Sequence, residues 1–270
     1  MLPVSWSFEP LVVIPLALAL LAFFVGVARL NRRSNQKRPR IWLFVAGWIV
    51  LALALVSPLH EAGERSFTMH MIEHELIMLV ATLLFAESGA GGILAWGLPR
   101  PLRLALGGNW KGPLQQLWRR LTDPVVATVV QGVVLWVWHA PALFDRAPEE
   151  QGSGAWHAAQ HLCFVAASLL FWCAMLGRRR GGYLLSAACL FLTTMAEGAL
   201  GALMALSQSP WYADYAAMGV TGIGIDPTTD QQLAGLIMWI PGGLLHGGVA
   251  LLLLYRWLTS AEMGNALRAN

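Results

Sequence analysis

Seven apolar runs, each close to the length that a helix needs to cross a lipid bilayer, constrain this chain more than any other feature of its sequence. The runs cover residues 10–30, 41–58, 69–87, 123–140, 155–177, 183–206 and 231–257. A helix satisfies its own backbone hydrogen bonds, which the hydrocarbon core cannot do. We therefore expect an all-α, polytopic membrane protein with seven transmembrane helices, in which residues 1–270 form one membrane domain.

The composition agrees with a membrane protein and argues against several soluble functions. Only 12% of the residues are charged, whereas a soluble domain carries about twice that fraction. The basic residues form no stripe interleaved with aromatic residues, so binding to nucleic acid is not expected. No Walker motif, GxSxG or HExxH is present, so nothing predicts nucleotide binding or hydrolysis. The cysteines, Cys163, Cys173 and Cys189, lie inside apolar runs and are expected to be buried without disulfides.

The connections between the runs alternate in charge, which predicts the orientation of the chain. Basic residues gather in the first, third and fifth connections and in the tail: Arg29, Arg32, Arg33, Lys37, Arg38, Arg40, Arg100, Arg103, Lys111, Arg119, Arg120, Arg178, Arg179, Arg180, Arg256 and Arg268. Since positive charge marks the cytoplasmic side, the N-terminus is predicted outside and the C-terminus in the cytoplasm. We expect a multi-pass protein of the bacterial cytoplasmic (inner) membrane. The longest inner connection, 87–122, is expected to hold an interfacial helix, and the longest outer one, 207–230, has no assigned role.

Six of the seven histidines lie where an apolar run starts or stops on the side poor in Lys and Arg: His60, His70, His74, His139, His157 and His161. An ionisable side chain at membrane depth is costly, so it usually faces the interior of the bundle and has a function. His70 and His74 are about one helical turn apart, and so are His157 and His161 on another run. Two such pairs at matching depth predict a metal site at the outer face of the membrane.

The residues around these histidines favour copper. Met71 adds a thioether beside the imidazoles, and that combination suits copper, Cu(I) in particular. The predicted metal ligands are His70, His74, His139, His157, His161 and Met71. Glu73 lies on a different helix face at nearly the same depth, so we expect it to support the ligands or to balance the charge of a cation. His60 is interpreted as a loop residue in preference to a ligand, with closure of the histidine layer as the alternative.

Polar residues also interrupt the last two runs. Glu197 lies within the sixth run, and a carboxylate there predicts a proton relay, a counter-charge to the metal or a neutral carboxyl between helices. His246 lies in the middle of the seventh run and is interpreted as a buried, hydrogen-bonded residue, with a relay as the alternative. Asp230 is a candidate for support of the metal ligands or, like Thr229, for capping the last helix. Pro241 and the glycines after it predict a kink or an unwound turn.

Four motifs, taken in chain order, resemble a known family. They are Met69–His74, Trp138–Pro141, His157–His161 ahead of Phe171–Trp172, and Asp230–Gln232 ahead of Gly235 and Met238–Trp239. On seven spans and in this order, they resemble the CtaG-type assembly factors of caa3-type cytochrome c oxidase. The resemblance covers nearly the whole chain from the second run onward. It does not extend to the single-span copper chaperone that shares the CtaG name, because no Cys-x-Cys motif lies outside the apolar runs.

The resemblance implies an assembly factor that helps to mature haem–copper oxidase by supplying copper to its catalytic subunit. Direct catalysis is not implied, so we do not expect an enzyme. The residues carried over from the family are His70, His74, His139, His157, His161 and Asp230. The expected partners are subunits of the oxidase in the same membrane and the lipid bilayer, with a periplasmic copper chaperone as a further candidate.

Two other functions fit parts of the pattern. A membrane transporter of copper or protons is one, because Glu197, His246 and the segment 241–243 are candidates to line a path. Against it, the sequence has no inverted repeat and no ligand set on the cytoplasmic side. A bis-histidine haem protein for electron transfer is the other, since histidines on facing helices ligate haem. Copper is the preferred ligand, and haem is the less favoured cofactor.

Overall fold

The computed structural model describes residues 5–31, 40–107, 112–144, 155–177 and 182–269, and every regular element in these ranges is a helix. The all-α class predicted from the apolar runs is therefore confirmed for this part of the chain. Several of the basic residues that predict the orientation lie outside the described residues: Arg32, Arg33, Lys37, Arg38, Lys111, Arg178, Arg179 and Arg180.

A helix coincides with each of the seven apolar runs, and shorter helices lie between them. In chain order the helices are α1 (Pro10–Asn31), α2 (Ile41–Val56), α3 (Pro58–Gly63), α4 (Phe67–Ser88), α5 (Gly91–Gly97), α6 (Arg100–Gly107), α7 (Pro113–Leu121), α8 (Pro124–Trp138), α9 (Pro141–Phe144), α10 (Ala155–Leu176), α11 (Gly182–Leu206), α12 (Ala213–Ala217) and α13 (Pro227–Ala269). Within the described ranges, five helices are long and apolar enough to cross a membrane: α1, α4, α10, α11 and α13. The pair α7 and α8, bent by 69°, is a sixth candidate when it is counted as one span. The count of seven spans stays a prediction.

The second apolar run ends earlier than predicted because a proline starts a new helix. Ser57 is extended, as the residue before a proline usually is, and its hydroxyl accepts a hydrogen bond from the Leu59 backbone N–H. Pro58 then occupies the first turn of α3, where its missing N–H has no consequence. Helix α2 therefore has 16 residues, fewer than a span normally needs. The break places His60 on a short helix, so its interpretation as a loop residue is wrong.

Helix α13 is continuous across Pro241, so the predicted unwound turn is wrong. Pro241 removes one backbone donor, but the helix is assigned without interruption from Pro227 to Ala269. Packing against α11 supplies the physical reason, because neighbouring helices hold a proline-containing span in its helical form. The two helices form the most extensive pair of the described fold.

Small residues allow α11 and α13 to approach closely. A Cβ atom added to Gly201 would lie 2.6 Å from the backbone oxygen of Gly235 and 3.0 Å from the Cβ of Trp239. A Cβ on Gly235 would in turn collide with the backbone oxygen of Gly201. Such glycine contacts are typical of membrane helices, where close packing replaces the hydrophobic driving force. The crossing fixes the position of α13, which carries Asp230 and His246.

We expect Gly201→Ala to destabilise the protein, because the added methyl group must push α13 away from α11. Overpacking of this kind typically costs about 1–3 kcal/mol. Thermal unfolding of the detergent-solubilised protein, followed by circular dichroism, measures the effect. Gly132→Ala is the matched control, since a Cβ there meets nothing within 4 Å. Equal unfolding temperatures for the two variants would contradict the close crossing.

Candidate metal centre

Six histidines from three helices and one helix end meet in the bundle, and we call this group the histidine layer. Its members are His60, His70, His74, His139, His157 and His161. The ring centroids of His70 and His74 are 4.2 Å apart, and those of His157 and His161 are also 4.2 Å apart. The two pairs face each other, with 5.4 Å between the centroids of His70 and His157. The sequence predicts these pairs at equal depth, and the structure brings them into contact.

Asp230 positions the first pair by holding the first turn of the helix that carries it. Its carboxylate, fully buried, accepts hydrogen bonds from the Ser66 hydroxyl at 2.9 Å and from the Phe67 backbone N–H at 2.6 Å. It also accepts from the Thr68 backbone N–H at 3.2 Å. These are the unpaired donors at the start of α4, less than one turn before His70. Ser66 is the N-cap of α4, because its hydroxyl accepts a hydrogen bond from the Met69 backbone N–H at 3.4 Å, and Asp230 of α13 holds the same turn by accepting from Ser66, Phe67 and Thr68.

The cap of α13 itself is Asp226, so the prediction that Thr229 or Asp230 caps this helix is wrong. The Asp226 side chain accepts hydrogen bonds from the backbone N–H groups of Thr228 and Thr229, at 3.1 and 3.0 Å. Hydrogen bonds from the side chain and backbone of Thr229 lower the pKa of Asp226, which lies in solvent. Asp230 is thereby free to bridge to α4.

Three histidines of the layer provide the closest set of metal-binding atoms in the described part of the chain. One ring nitrogen each from His70, His74 and His157 lies within 4.8 Å of the other two. His70 and His74 are buried, and His157 is partly buried. Nε2 of His70, both ring nitrogens of His74 and Nε2 of His157 have no hydrogen-bond partner among the described residues. Buried nitrogens without partners are costly in an apolar bundle, so their convergence favours a shared ligand.

His139 lies beside this set, at the end of α8. Its Nδ1 donates a hydrogen bond to the Leu135 carbonyl oxygen at 2.7 Å, which leaves the lone pair of Nε2 available. Nε2 is buried and has no partner among the described residues. The His139 ring centroid lies 6.0 Å from that of His74. Pro141 begins the next short helix and holds the end of α8 in this position.

A carboxylate lies inside the histidine layer. Glu73 is fully buried, and its Oε1 atom lies 2.8 Å from His60 Nδ1 and 3.5 Å from His161 Nε2. Its Oε2 atom has no hydrogen-bond partner among the residues that the structure describes and faces Gly63, where an added Cβ would lie 3.4 Å away. Burial alone would lower the pKa of His60, but the hydrogen bond and negative charge of Glu73 raise it above the ordinary value. Glu73 and His60 therefore form a hydrogen-bonded pair next to the three-histidine set.

Met71 lies in the apolar core under the layer. It is almost completely buried, in a cluster that includes Phe67, Leu135 and Phe164. Its role as a thioether ligand stays a prediction. The three cysteines are all free, as expected, but only Cys189 is fully buried, whereas Cys163 and Cys173 are partly exposed.

Four aromatic rings cover the layer, and we call them the aromatic cover: Phe67, Phe144, Tyr212 and Tyr215. The Tyr212 hydroxyl donates to the His139 carbonyl oxygen at 3.0 Å, and the Tyr215 hydroxyl donates to the Gly63 carbonyl oxygen at 2.6 Å. Both tyrosines belong to the segment 207–230, for which the sequence predicts no role. The segment therefore shields the layer from solvent and strengthens the electrostatic interactions beneath it.

Glu197 and His246, two of the predicted relay residues, do not belong to the layer. They lie together between α11 and α13, with His246 Nδ1 3.0 Å from Glu197 Oε2. The His246 ring stacks on Trp172, with 5.1 Å between their centroids. Burial of His246 is confirmed, with 1% of its surface exposed. The relay role of either residue stays a prediction.

Comparison with known families gives one match, which extends over most of the chain. The sequence model described as cytochrome c oxidase caa3 assembly factor (Caa3_CtaG) matches residues 21–260. Comparisons with curated proteins and with solved structures gave no match. The matched region includes the whole histidine layer, Asp230 and the aromatic cover. The chain therefore belongs to the Caa3_CtaG family of cytochrome c oxidase caa3 assembly factors.

Proposed function

We propose that this assembly factor binds Cu(I) at His70, His74 and His157 and delivers it to the catalytic subunit of a haem–copper oxidase in the same membrane. One observation carries the proposal: three ring nitrogens lie within 4.8 Å of one another, and each histidine has a buried Nε2 with no hydrogen-bond partner in the described part of the chain. Three nitrogen donors leave a coordination position open, which a transfer site needs. The membership in an oxidase assembly family supports copper as the cargo.

The rest of the layer suits a site that releases its ion. His139 and His161 lie beside the three-histidine set. Nε2 of His139 has no hydrogen-bond partner among the described residues, and Nε2 of His161 has only the Glu73 carboxylate near it, at 3.5 Å. They offer alternative donors, so copper can exchange ligands on its way out. Glu73 supplies negative charge inside the layer, which offsets the desolvation of a buried cation. The aromatic cover keeps water away from Cu(I), and its displacement by an oxidase subunit would open the site.

The proposal includes the orientation of the chain. We place the histidine layer at the outer face of a bacterial cytoplasmic membrane, with seven spans and the C-terminus inside. The uneven distribution of Lys and Arg along the sequence supports this arrangement. Helix α2 then crosses together with its flanking residues, because 16 residues alone are short for a bilayer.

The proposal is tested by the copper content of the oxidase in cells that lack this gene. Complementation with the wild type should restore copper, whereas the variant His70→Ala/His74→Ala/His157→Ala should not, at equal levels of the protein in the membrane. Leu162→Ala, on the exposed face of the same helix as His157, is the control and should restore copper fully. Full oxidase copper with the triple variant would overturn copper delivery through this site.

The packing of the layer favours copper over haem. The rings of His70 and His157 stack directly on each other, at 5.4 Å and an interplanar angle of 13°. A bis-histidine haem has its macrocycle between the two ligating rings, so these rings would first have to separate. A purified protein with a Soret band that disappears with His157→Ala would support the haem alternative instead.

A further inference from the structure

Helix α7 meets the start of α8 at a sharp angle. The two helices are bent by 69° relative to each other. The bend lies at Asp123 and Pro124, where the Asp123 carboxylate accepts hydrogen bonds from two backbone N–H groups of the first turn of α8, at 3.0 and 3.3 Å. In the proposed arrangement α8 crosses the membrane, and spans are tilted from the bilayer normal by about 20° on average. Helix α7 therefore lies closer to the plane of the membrane than to its normal.

The two sides of α7 differ in chemistry. Its apolar side is formed by Leu117, Trp118 and Leu121, and its polar side by Gln115, Gln116, Arg119 and Arg120. The apolar side is not covered by the rest of the described fold, since Leu117 is 52% exposed and Trp118 is 42% exposed. A helix with leucine and tryptophan on one side and basic residues on the other is typical of a helix that lies in the membrane surface. Lipid is therefore the expected environment of this apolar side.

A second basic helix, α6, is held near the end of α1. Arg29, in the last turn of α1, donates hydrogen bonds to the carbonyl oxygens of Trp96 and Leu98 at the end of α5, at 2.8 and 2.9 Å. Arg103 of α6 packs over the Trp96 ring, 4.4 Å from its centroid. In the proposed orientation, the end of α1 and the start of α8 both lie at the cytoplasmic face. Helices α6 and α7 are therefore assigned to the same membrane surface.

The segment that carries both helices has charges of only one sign. No acidic residue lies between Glu87 and Asp123, whereas the basic residues there are Arg100, Arg103, Lys111, Arg119 and Arg120. The two flanking carboxylates have other roles, because Glu87 pairs with Arg40 at 2.6 Å and Asp123 caps α8. The segment therefore has an excess of positive charge at the membrane surface. A guanidinium group suits phosphate in particular, because its N–H groups match two phosphate oxygens at once.

We propose that α6 and α7 bind the headgroups of anionic phospholipids in the cytoplasmic leaflet through a basic surface. This basic surface consists of Arg100, Arg103, Arg119 and Arg120. Its arginines contact the lipid phosphates, while the exposed Leu117 and Trp118 enter the boundary between headgroups and acyl chains. Lipid is the occupant, and not an acidic segment of a protein, because exposed apolar side chains lie beside the charges at the end of a membrane-spanning helix.

Native mass spectrometry of the full-length protein in detergent measures this lipid binding. The protein, freed of bound lipid, is mixed with equal amounts of phosphatidylglycerol, which is anionic, and phosphatidylcholine, which is zwitterionic, with the same acyl chains. We expect the first bound lipid to be phosphatidylglycerol with a preference of about fivefold or more, because one arginine near an anionic headgroup contributes about that factor. Equal binding of the two lipids by the wild type would overturn the proposal.

Replacing the four arginines of the basic surface together with glutamine should abolish the preference for phosphatidylglycerol. Replacing the same four with lysine should retain most of it, because the charge is kept, and this variant guards against a loss caused by misfolding. Arg65→Gln is the control on the opposite face of the membrane, where Arg65 pairs with Glu61 at 3.2 Å, and it should leave the preference unchanged. An unchanged preference in the glutamine variant would overturn the assignment to α6 and α7.

Spin labels on α7 test whether its apolar side lies in lipid. With the three native cysteines replaced by alanine, Leu117→Cys and Gln116→Cys are labelled separately in vesicles that contain phosphatidylglycerol. Both positions are exposed in the described fold, so a difference between them reports the surroundings of the protein. The label at 117 should be reached by dissolved oxygen and the label at 116 by a water-soluble nickel complex. Equal access of the nickel complex to both would overturn the proposal and favour an acidic protein partner. Neither outcome affects the copper test of the histidine layer, because lipid binding depends on the orientation of the chain and not on copper delivery.

Discussion

Replacing His70, His74 and His157 together with alanine will remove Cu(I) from the purified protein. The wild type, loaded anaerobically, should hold about one Cu(I) per chain, and the variant almost none, because all three nitrogen donors are gone. Single replacements of His139 or His161 should retain the ion with an affinity lowered by about 10- to 100-fold, the range for residues that support ligands. Competition with a chromogenic Cu(I) chelator measures these differences.

The Cu(I)-loaded protein also allows the predicted thioether ligand, Met71, to be tested separately from the imidazole ligands. Met71→Leu nearly conserves volume, so the apolar core around Met71 should tolerate it. X-ray absorption at the copper edge should then show whether a sulfur neighbour has disappeared. Leu162→Ala, exposed on α10, serves as the control and should keep full copper. A triple histidine variant that binds as much Cu(I) as the wild type would make the layer a structural or proton-binding group.

The features that the sequence predicts well are those that depend on short spacing. Each apolar run that is long enough to span a bilayer predicts a helix, and the structure has a helix at each of these runs. The prediction succeeds because a backbone buried in lipid must satisfy its own hydrogen bonds, as a helix does. The pairs His70/His74 and His157/His161 are recognised because residues four apart share a helix face. Their mutual contact follows from equal depth on neighbouring helices. Helix boundaries depend on single residues: Pro58 shortens α2 because the proline forces the preceding residue, Ser57, out of the helix.

The features that the sequence does not predict depend on contacts between distant residues. Asp230 lies 164 residues from Ser66, yet its carboxylate holds the first turn of the helix that Ser66 precedes. A candidate cap is normally sought within a few residues of the helix start, so Asp230 is assigned to the wrong helix. Glu73 similarly pairs with His60 across a chain reversal that Pro58 and Gly63 allow. In the sequence, the only indication of either contact is a carboxylate in an apolar region, since an unpaired buried carboxylate is costly.

The aromatic cover and the π-helical segment are further examples. Tyr212 and Tyr215 are three residues apart in a segment rich in Gly and Pro, which is typical of a loop and says nothing about what the loop covers. In α4, residues Leu76–Ala81 form a π-helical turn, and within it the Met78 carbonyl oxygen accepts hydrogen bonds from Trp172 and Thr82. No local sequence pattern predicts it. The contact between Glu197 and His246 is likewise not predicted, because the sequence shows only that each lies within an apolar run.

Asp230→Ala will lower the stability of the protein more than any other single change at the edge of the site. The carboxylate accepts hydrogen bonds from three buried donors, those of Ser66, Phe67 and Thr68. Each buried donor left without an acceptor costs about 1–3 kcal/mol, so a loss of several kcal/mol is expected. Asp230→Asn keeps one acceptor oxygen and should lose less. Thermal unfolding in detergent, monitored by circular dichroism, ranks the wild type and the two variants by stability.

The Asp230 carboxylate also connects stability to copper binding. Because the Asp230 carboxylate holds the first turn of α4 beside the N-cap Ser66, its loss should let this turn fray toward His70 and move the first ligand pair away from His157. Asp230→Ala should therefore weaken Cu(I) binding even at temperatures where the protein is still folded. Asp226→Ala removes the exposed cap of α13 and should change neither copper binding nor unfolding to a comparable extent. Equal effects of the two replacements would contradict this prediction. They would mean that α4 is positioned by its packing alone and not by the Asp230 carboxylate.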